Sequence, residues 1–317
     1  MQISHSTIDW LLEEEQPVVR YFTFTDLLDK KPNAPEVLEA REDILKRGWV
    51  HDILQAQKPG GYWESGECLY DPKYVASNWR MIALSDFGLS YKDSKQIERG
   101  CDQFFEKWLK DEREFYAKGE AEVCIIGNLA RFLTRFGYAT DSRVTKLFHW
   151  LVENQKEDGG WHCLPSETGT LDCWEALAAF AALPRSKWNK GIKKSVERGA
   201  GFYMSKNLFK EGKPYAPWLR FHYPTHYYYD VLVGLDTLTA LGFGGDKRLR
   251  PALKILDKKQ IRKDLWKLDK VHPDIGRGAN YSLRKAVKPF TLEKAGRPSK
   301  WITLAALRVK KRVSDQA

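Results

Sequence analysis

One pattern recurs along the chain: an apolar helical run that ends at a glycine or a proline. The copies of this run are residues 76–89, 125–138, 172–185, 228–243 and 299–313. Most copies are followed by a polar turn and a more charged run, at residues 93–109, 141–155, 189–208 and 246–260. Apolar residues recur at spacings of three and four, which is typical of helices. The sequence therefore predicts an all-α repeat protein of inner apolar and outer amphipathic helices.

A second repeated element lies where an outer helix is predicted to end. It reads Gln-Lys-Pro-Gly-Gly-Tyr-Trp at residues 57–63 and Gln-Lys-Glu-Asp-Gly-Gly-Trp at residues 155–161, with a degraded copy at residues 260–266. Glycine permits the positive φ of a tight turn after a helix. The tryptophan is then expected to pack over the next helix end.

The segment from Gln155 to Trp161 resembles the QW repeat of squalene and oxidosqualene cyclases, and the related repeat of protein prenyltransferase β subunits. The resemblance covers roughly residues 57–313. It implies an (α/α) toroid, in which inner helices surround a central cavity and outer helices surround them. We expect one domain over residues 1–317, with N-terminal helices in residues 1–50 and the repeats and basic C-terminal part in residues 51–317. The resemblance also implies a cyclase-like or transferase-like enzyme that acts on a hydrophobic, isoprenoid-like substrate.

A metal site is predicted at the entry ends of the inner helices. Cys124, Cys163, Cys173 and His226 all fall at or near these positions. Three thiolates and one imidazole suit tetrahedral Zn²⁺. The alternative is that the cysteines are small buried hydrophobic residues and that His226 is an ordinary hydrogen-bonded histidine. In the prenyltransferases, an Asp, a Cys and a later His hold catalytic zinc, and here Asp172 and Cys173 are adjacent.

Asp172 is the candidate catalytic acid. The cyclases place an Asp-Cys motif at an inner-helix entry, and its Asp is the initiating acid; the resemblance assigns this role to Asp172 in Asp-Cys-Trp-Glu. Such an acid must stay protonated in a dry pocket. The alternative role for Asp172 is the N-cap of the following helix.

Aromatic and basic residues beside the inner helices are candidates for substrate binding. They are Trp79, Arg80, Trp174, Arg220, His222, Tyr228 and Trp301. Aromatic faces stabilise carbocations by cation–π attraction, and a buried arginine requires an acidic partner or an anionic ligand. The alternative is that the aromatic residues belong to the core between helix layers. An alternative function is that of a toroid enzyme that acts on polysaccharides and uses a Tyr/His pair with an arginine. The residues compatible with this alternative are Arg220, His222 and Tyr223.

Charge is concentrated in the last quarter of the chain. Residues 244–317 hold 21 Lys and Arg against 7 Asp and Glu, whereas the remaining 243 residues hold 31 against 35. This basic part is either the solvated face of amphipathic helices or a site for an anion, such as a diphosphate or an acidic membrane surface. The sequence contains no nucleic-acid-binding module, so we do not expect DNA or RNA as a partner.

The remaining features bear on location and on the class of function. The sequence has no long apolar run that predicts a transmembrane helix and no pattern of a signal peptide, so we expect a cytoplasmic protein. Five cysteines in a chain of 317 residues do not form a disulfide scaffold. Beside the enzyme, the sequence leaves open a non-catalytic lipid-binding or small-molecule-binding protein, in which any metal is structural.

Overall fold

Turn residues and apolar faces divide the chain into short helices. The computed structural model describes residues 2–111, 122–271 and 290–316. Within these ranges the structure is predominantly helical, as predicted. The helices are α1 (His5–Leu11), α2 (Pro17–Phe22), α3 (Pro35–Asp43), α4 (Gly48–Gln55), α5 (Ser77–Ser85), α6 (Lys95–Lys107), α7 (Val123–Leu133), α8 (Ser142–Glu153), α9 (Glu175–Ala182), α10 (Lys190–Ser205), α11 (Val231–Ala240), α12 (Arg250–Lys258) and α13 (Lys300–Asp315).

Shorter elements extend or join these helices. π-helical turns at Thr23–Leu27 and Thr134–Tyr138 continue α2 and α7. A two-stranded antiparallel ribbon, β1 (Lys210–Glu211) and β2 (Lys213–Pro214), follows α10. The Glu211 carboxylate in β1 accepts a hydrogen bond from the Leu171 amide at 2.6 Å, so the ribbon fixes the loop that leads into α9.

Most of the predicted outer runs begin at a polar side chain that caps the helix. The side chains of Asp141 and Asn189 accept hydrogen bonds from the first-turn amides of α8 and α10. The predicted start at Asp93 is displaced by one residue, because Ser94 caps α6 and Asp93 instead accepts from the Ser90 amide at 2.6 Å.

The apolar runs are the buried helices. Every residue of α5 except Arg80 is buried, and α9 and α11 are buried over most of their length. Along the chain, α5 packs on α7, α7 on α9, α9 on α11 and α11 on α13, and α13 packs on α2. The more charged helices α6, α8, α10 and α12 each pack on the buried helix that precedes them.

Two buried helices, α7 and α9, approach each other closely at Gly127. A Cβ at this position of α7 would lie 2.6 Å from the Cβ of Glu175 in α9. A larger residue therefore cannot occupy position 127 without separating the helices. Glu175, the first residue of α9, is completely buried at this contact.

The tryptophan makes the same hydrogen bond in all three copies of the glutamine–glycine–tryptophan turn. The indole N–H groups of Trp63, Trp161 and Trp266 each donate to the carbonyl ten residues earlier, at 2.8 Å. The side-chain amide of Gln155 donates to Gly159 at 2.8 Å and to Ser195 in α10 at 2.9 Å. The turns therefore fix the end of one outer helix against the next outer helix.

One cluster of buried apolar residues extends from Leu11 in α1 to Val309 in α13. The ring of Trp301 in α13 contacts Trp49, Phe87 and Phe22, which belong to the N-terminal part of the chain. Both ends of the described chain therefore share the same core.

Basic residues of the C-terminal part pair with acids from distant segments. Lys310 pairs with Asp257, Lys311 with Asp29, and Arg312 with Asp236. Lys300 lies 2.7 Å from Glu13. Much of the positive charge on α13 is therefore neutralised within the protein. Among the described residues, no helix is both long and apolar enough to cross a bilayer.

Candidate metal centre and central cleft

Three cysteines that are distant in sequence converge at the N-terminal ends of α7 and α9. The Sγ atoms of Cys163 and Cys173 lie 3.5 Å apart. The Cys124 thiol donates to Glu122 Oε2 at 3.5 Å, and the ligand atoms of Glu122, Cys124 and Cys163 all lie within 4.8 Å of one another. We call Glu122, Cys124, Cys163 and Cys173 the cysteine cluster.

Local structure explains why these residues meet. Cys124 lies in the first turn of α7, and Cys173 lies two residues before α9. Cys163 follows Trp161, whose carbonyl accepts a hydrogen bond from the Thr170 amide at 2.9 Å. This bond folds the loop between Trp161 and α9 back on itself, so that Cys163 comes close to both other cysteines.

The electrostatics of the cluster single out Cys163. Hydrogen bonds from the Cys124 and Cys173 thiols lower the pKa of Cys163. The pKa values of Cys124 and Cys173 are raised, first by these same hydrogen bonds to Cys163 and then by burial. Burial, followed by the Cys163 charge, raises the pKa of Glu122. The arrangement is one thiolate held by two thiols, and a soft divalent cation would replace the thiol protons.

Of the four predicted metal ligands, Cys124 and Cys163 belong to the group of ligand atoms that lie within 4.8 Å of one another, and Cys173 contacts Cys163. His226 lies outside the cysteine cluster, and its ring packs 5.5 Å from Tyr74, 5.3 Å from Trp79 and 5.7 Å from Phe290. The reason is local, because the chain enters α11 through a turn in which His226 has a positive φ of 50°. Glu122, which sequence reasoning missed, lies beside the cysteines instead.

Asp172 lies next to the cluster, directly before Cys173. Its carboxylate accepts a hydrogen bond from the Trp218 indole at 2.7 Å. Partial burial raises the pKa of Asp172, although the residue as a whole is exposed to solvent. It does not cap α9, which begins at Glu175 after Trp174. Its role as a catalytic acid stays a prediction.

Glu175 has the burial and the raised pKa that a catalytic acid at Asp172 would require. It is completely buried, and neither carboxylate oxygen has a hydrogen-bond partner among the described residues. Burial, and next the Cys163 charge, raises the pKa of Glu175 well above its usual range. Glu175 therefore combines complete burial with a raised pKa.

A cleft of about 770 Å³, including its open part, lies between the buried helices. Its lining comes from α7, α9, α11 and α13 and from the loop before α11. Of the residues predicted to bind substrate, Trp174, His222 and Trp301 line this cleft. Three arginines, Arg131, Arg135 and Arg308, line it as well, so its surface is more polar than the predicted hydrophobic cavity.

The other predicted substrate-binding residues lie elsewhere. Trp79 and Tyr228 join an aromatic group with Tyr74 and Tyr227, in which the Tyr74 and Tyr227 hydroxyls lie 2.8 Å apart. The Arg80 guanidinium lies 3.9 Å from the centre of the Phe290 ring. Arg220 is exposed and does not line the central cleft.

Two residues of the loop before α11 form a buried pair. His222 Nδ1 lies 2.7 Å from Asp230 Oδ2, and both side chains are buried. Asp230 Oδ1 also accepts the Leu232 and Val233 amides, and it thereby caps α11. The carboxylate acceptor places the proton on Nδ1, so His222 Nε2 is left as a hydrogen-bond acceptor. Sequence reasoning found His222, but the pairing with Asp230, eight residues later, gave no recognised motif.

A second cleft borders the cysteine cluster at Glu122. It measures about 1220 Å³ including its open part. Tyr70, Lys73, Trp108 and Ile125 contribute to its wall. The cluster is therefore accessible from a surface that is partly aromatic.

No protein-family model matches the sequence, and no curated protein or solved structure gives a significant match. The resemblance to the cyclases and the prenyltransferases therefore stays a prediction from the repeat.

Proposed function

We propose that this chain is a zinc-dependent toroid protein whose metal centre is the cysteine cluster. The observation that supports the proposal is that the ligand atoms of Glu122, Cys124 and Cys163 lie within 4.8 Å of one another, while Cys173 contacts Cys163. Three thiolates with one carboxylate form a suitable tetrahedral set for Zn²⁺, and Glu122 is in place to supply that carboxylate.

The toroid is part of the proposal. The order of contacts from α5 through α7, α9, α11 and α13 to α2 supports a closed ring. Phe87, just after α5, lies against Trp301 of α13, which supports closure between the first and last repeats. The central cleft would then be the hole of the ring, and the cysteine cluster would lie at one of its mouths.

The proposed activity is that of an enzyme acting on a hydrophobic, isoprenoid-like substrate in the cleft beside Glu122. Tyr70 and Trp108 provide aromatic surface there, and Lys73 provides a positive charge for an anionic end group. Bound zinc would supply a Lewis acid at this mouth. Glu122 faces the cleft and is the ligand that a substrate could replace, whereas Cys124, Cys163 and Cys173 would hold the metal. Contact of the basic C-terminal part with a membrane surface, and a cytoplasmic location, remain proposals.

The competing function is a binding protein with a structural metal. A permanent fourth ligand at Glu122 would favour it, because a closed shell leaves no position for a substrate. Cobalt substitution separates the two functions. The absorption spectrum of the Co²⁺ protein should change when imidazole is added if the fourth position is exchangeable, and should stay constant if the shell is closed.

Metal content of untagged protein, purified without chelator, tests the metal centre itself. We expect about one zinc per chain, a loss in Cys163→Ser and Cys173→Ser, and affinity weakened about 10- to 100-fold in Glu122→Gln. Cys68→Ser and Cys101→Ser are the matched controls, since neither residue belongs to the cluster, and His226→Gln should also retain the metal. Zinc-free wild-type protein, or full zinc content in Cys163→Ser, would overturn the proposal.

A further inference from the structure

The central cleft is lined by a buried cation, Arg131. Arg131, in α7, is 3% exposed, and its Nε and Nη2 atoms have no hydrogen-bond partner among the described residues. The two other arginines of the cleft are paired: Arg135 with Asp86, and Arg308 with Asp26, whose Oδ2 lies 2.7 Å from Nε. Burial lowers the pKa of Arg131 to about 10, which still leaves it charged at neutral pH.

The largest favourable electrostatic partner of Arg131 is Asp86, which is itself paired with Arg135. Glu175 interacts electrostatically with Arg131, but it makes no ion pair with it within 4 Å in the described chain. Among the described residues, neither Asp86 nor Glu175 forms an ion pair with Arg131, so no carboxylate contacts the guanidinium directly. A buried, uncompensated guanidinium is destabilising, because it has lost its solvation without gaining an opposite charge. An anion in the cleft would offset that loss.

The free atoms of Arg131 define the shape of the anion. Nε and Nη2 lie on one edge of the guanidinium plane, and that edge binds a carboxylate through two parallel hydrogen bonds. The guanidinium lies 4.9 Å from the centre of the Trp174 ring, and this contact restricts its orientation. Tyr223, also in the cleft, has a buried hydroxyl without a described partner and is stacked on Trp301 with ring centres 4.8 Å apart.

The His222–Asp230 pair adds a requirement for a donor on the ligand. Asp230 holds the Nδ1 proton, and the buried Nε2 atom of His222 has no described partner. A buried acceptor that is left unpaired is destabilising. A ligand hydroxyl would satisfy it, whereas a simple carboxylate without a hydroxyl would not.

We propose that the central cleft binds a small 2-hydroxycarboxylate, with its carboxylate on Arg131, its hydroxyl donating to His222, and Tyr223 completing the polar contacts. This site is separate from the proposed zinc centre and does not depend on it. The ligand class follows from the three unpartnered groups and from the cleft that all three residues line.

Titration calorimetry with L-malate and succinate tests the site, because the two acids differ only in the 2-hydroxyl group. We expect wild-type protein to bind L-malate about tenfold more tightly than succinate. Arg131→Lys should weaken malate binding about tenfold or more, because Lys cannot make the bidentate contact. Arg262→Lys, an exposed arginine outside the cleft, is the matched control.

Further variants keep the test independent of folding. Tyr223→Phe removes only a hydroxyl and should weaken both acids, while His222→Gln should abolish the preference for malate. Absence of binding by either acid, equal affinity for both, or binding of inorganic phosphate in preference to malate would overturn the proposal. We expect chelator-treated protein to retain malate binding. Loss of binding after chelator treatment would place the ligand on the metal, and this result would also overturn the proposal.

Discussion

Cys163 and Cys173 are in direct contact, with 3.5 Å between their Sγ atoms, although the loop between Trp161 and α9 separates them by ten residues. Cys163 carries the lowered pKa and is therefore the nucleophilic member of the pair. The contact arises from the hydrogen bond that closes this loop, between the Thr170 amide and the Trp161 carbonyl.

This contact predicts selective disulfide formation in metal-free protein. Diamide, which takes up the two electrons and two protons released, should join Cys163 to Cys173 in chelator-treated protein, because attack by a thiolate requires close approach. Peptide mass mapping would identify the bond. Added zinc should prevent the reaction, whereas a disulfide formed through exposed Cys68 in place of Cys163 would contradict the prediction.

Substitution of two glycines, one in the repeated turn and one in α10, should change stability in opposite directions. Gly159 has a φ of +92°, and a Cβ there would lie 2.6 Å from the Arg198 carbonyl oxygen. Gly159→Ala should therefore destabilise the protein by about 2 kcal/mol or more. Gly201 lies within α10, where an added Cβ would meet nothing within 4 Å, so Gly201→Ala should stabilise the protein by about 0.5–1 kcal/mol. Urea unfolding measures both, and a neutral Gly159→Ala would contradict the assigned turn.

Much of this turn could be predicted from the sequence, because its constraints are local. Two of its hydrogen bonds join residues of one segment: the Gln155 amide donates to Gly159, and the Trp161 indole donates to Leu151. The inner helices are predictable for the same reason, since a run of apolar residues at helical spacing has few alternatives to burial. Helix ends are less predictable: α9 begins at Glu175, three residues after Asp172.

The candidate sites were only partly predictable, because they depend on contacts between distant segments. The cysteines could be chosen by residue type, but Glu122 was indistinguishable from a surface glutamate in the sequence. Arg131 lies within an apolar run, and its lack of a carboxylate partner among the described residues is a property of the packed helices α7 and α9. His226 had suitable chemistry, but its turn directs it to the aromatic group instead.

A pH dependence is expected from Glu293, whose carboxylate accepts the Lys300 amide at 2.6 Å at the start of α13. Burial raises its pKa above the usual value. The folded protein therefore holds this proton more tightly than the unfolded chain, so the contribution to stability is present at low pH and is lost as pH rises through the folded-state pKa.

The test of this dependence is Glu293→Gln, which keeps the acceptor but cannot ionise. The difference in unfolding free energy, wild type minus variant, should fall as the pH rises above the usual pKa of a glutamate, by at most about 1.4 kcal/mol per pH unit. Glu157→Gln, at an exposed position, is the control and should give a constant difference. A difference for Glu293→Gln that rises with pH would contradict a raised folded-state pKa.

The last prediction concerns the proton on His222. Asp230 Oδ2 receives both the His222 amide, at 3.0 Å, and His222 Nδ1, at 2.7 Å, while Oδ1 caps α11. Asp230→Asn keeps one oxygen for the cap but replaces the second acceptor by an amide donor. The Nδ1 proton should then move to Nε2, and stability should fall by about 1–3 kcal/mol because a buried hydrogen bond is lost. The ¹⁵N chemical shifts of the His222 ring would report the exchange of tautomers directly. Exposed Asp102→Asn is the control, and an unchanged Nδ1–H tautomer in Asp230→Asn would show that Asp230 does not orient the imidazole.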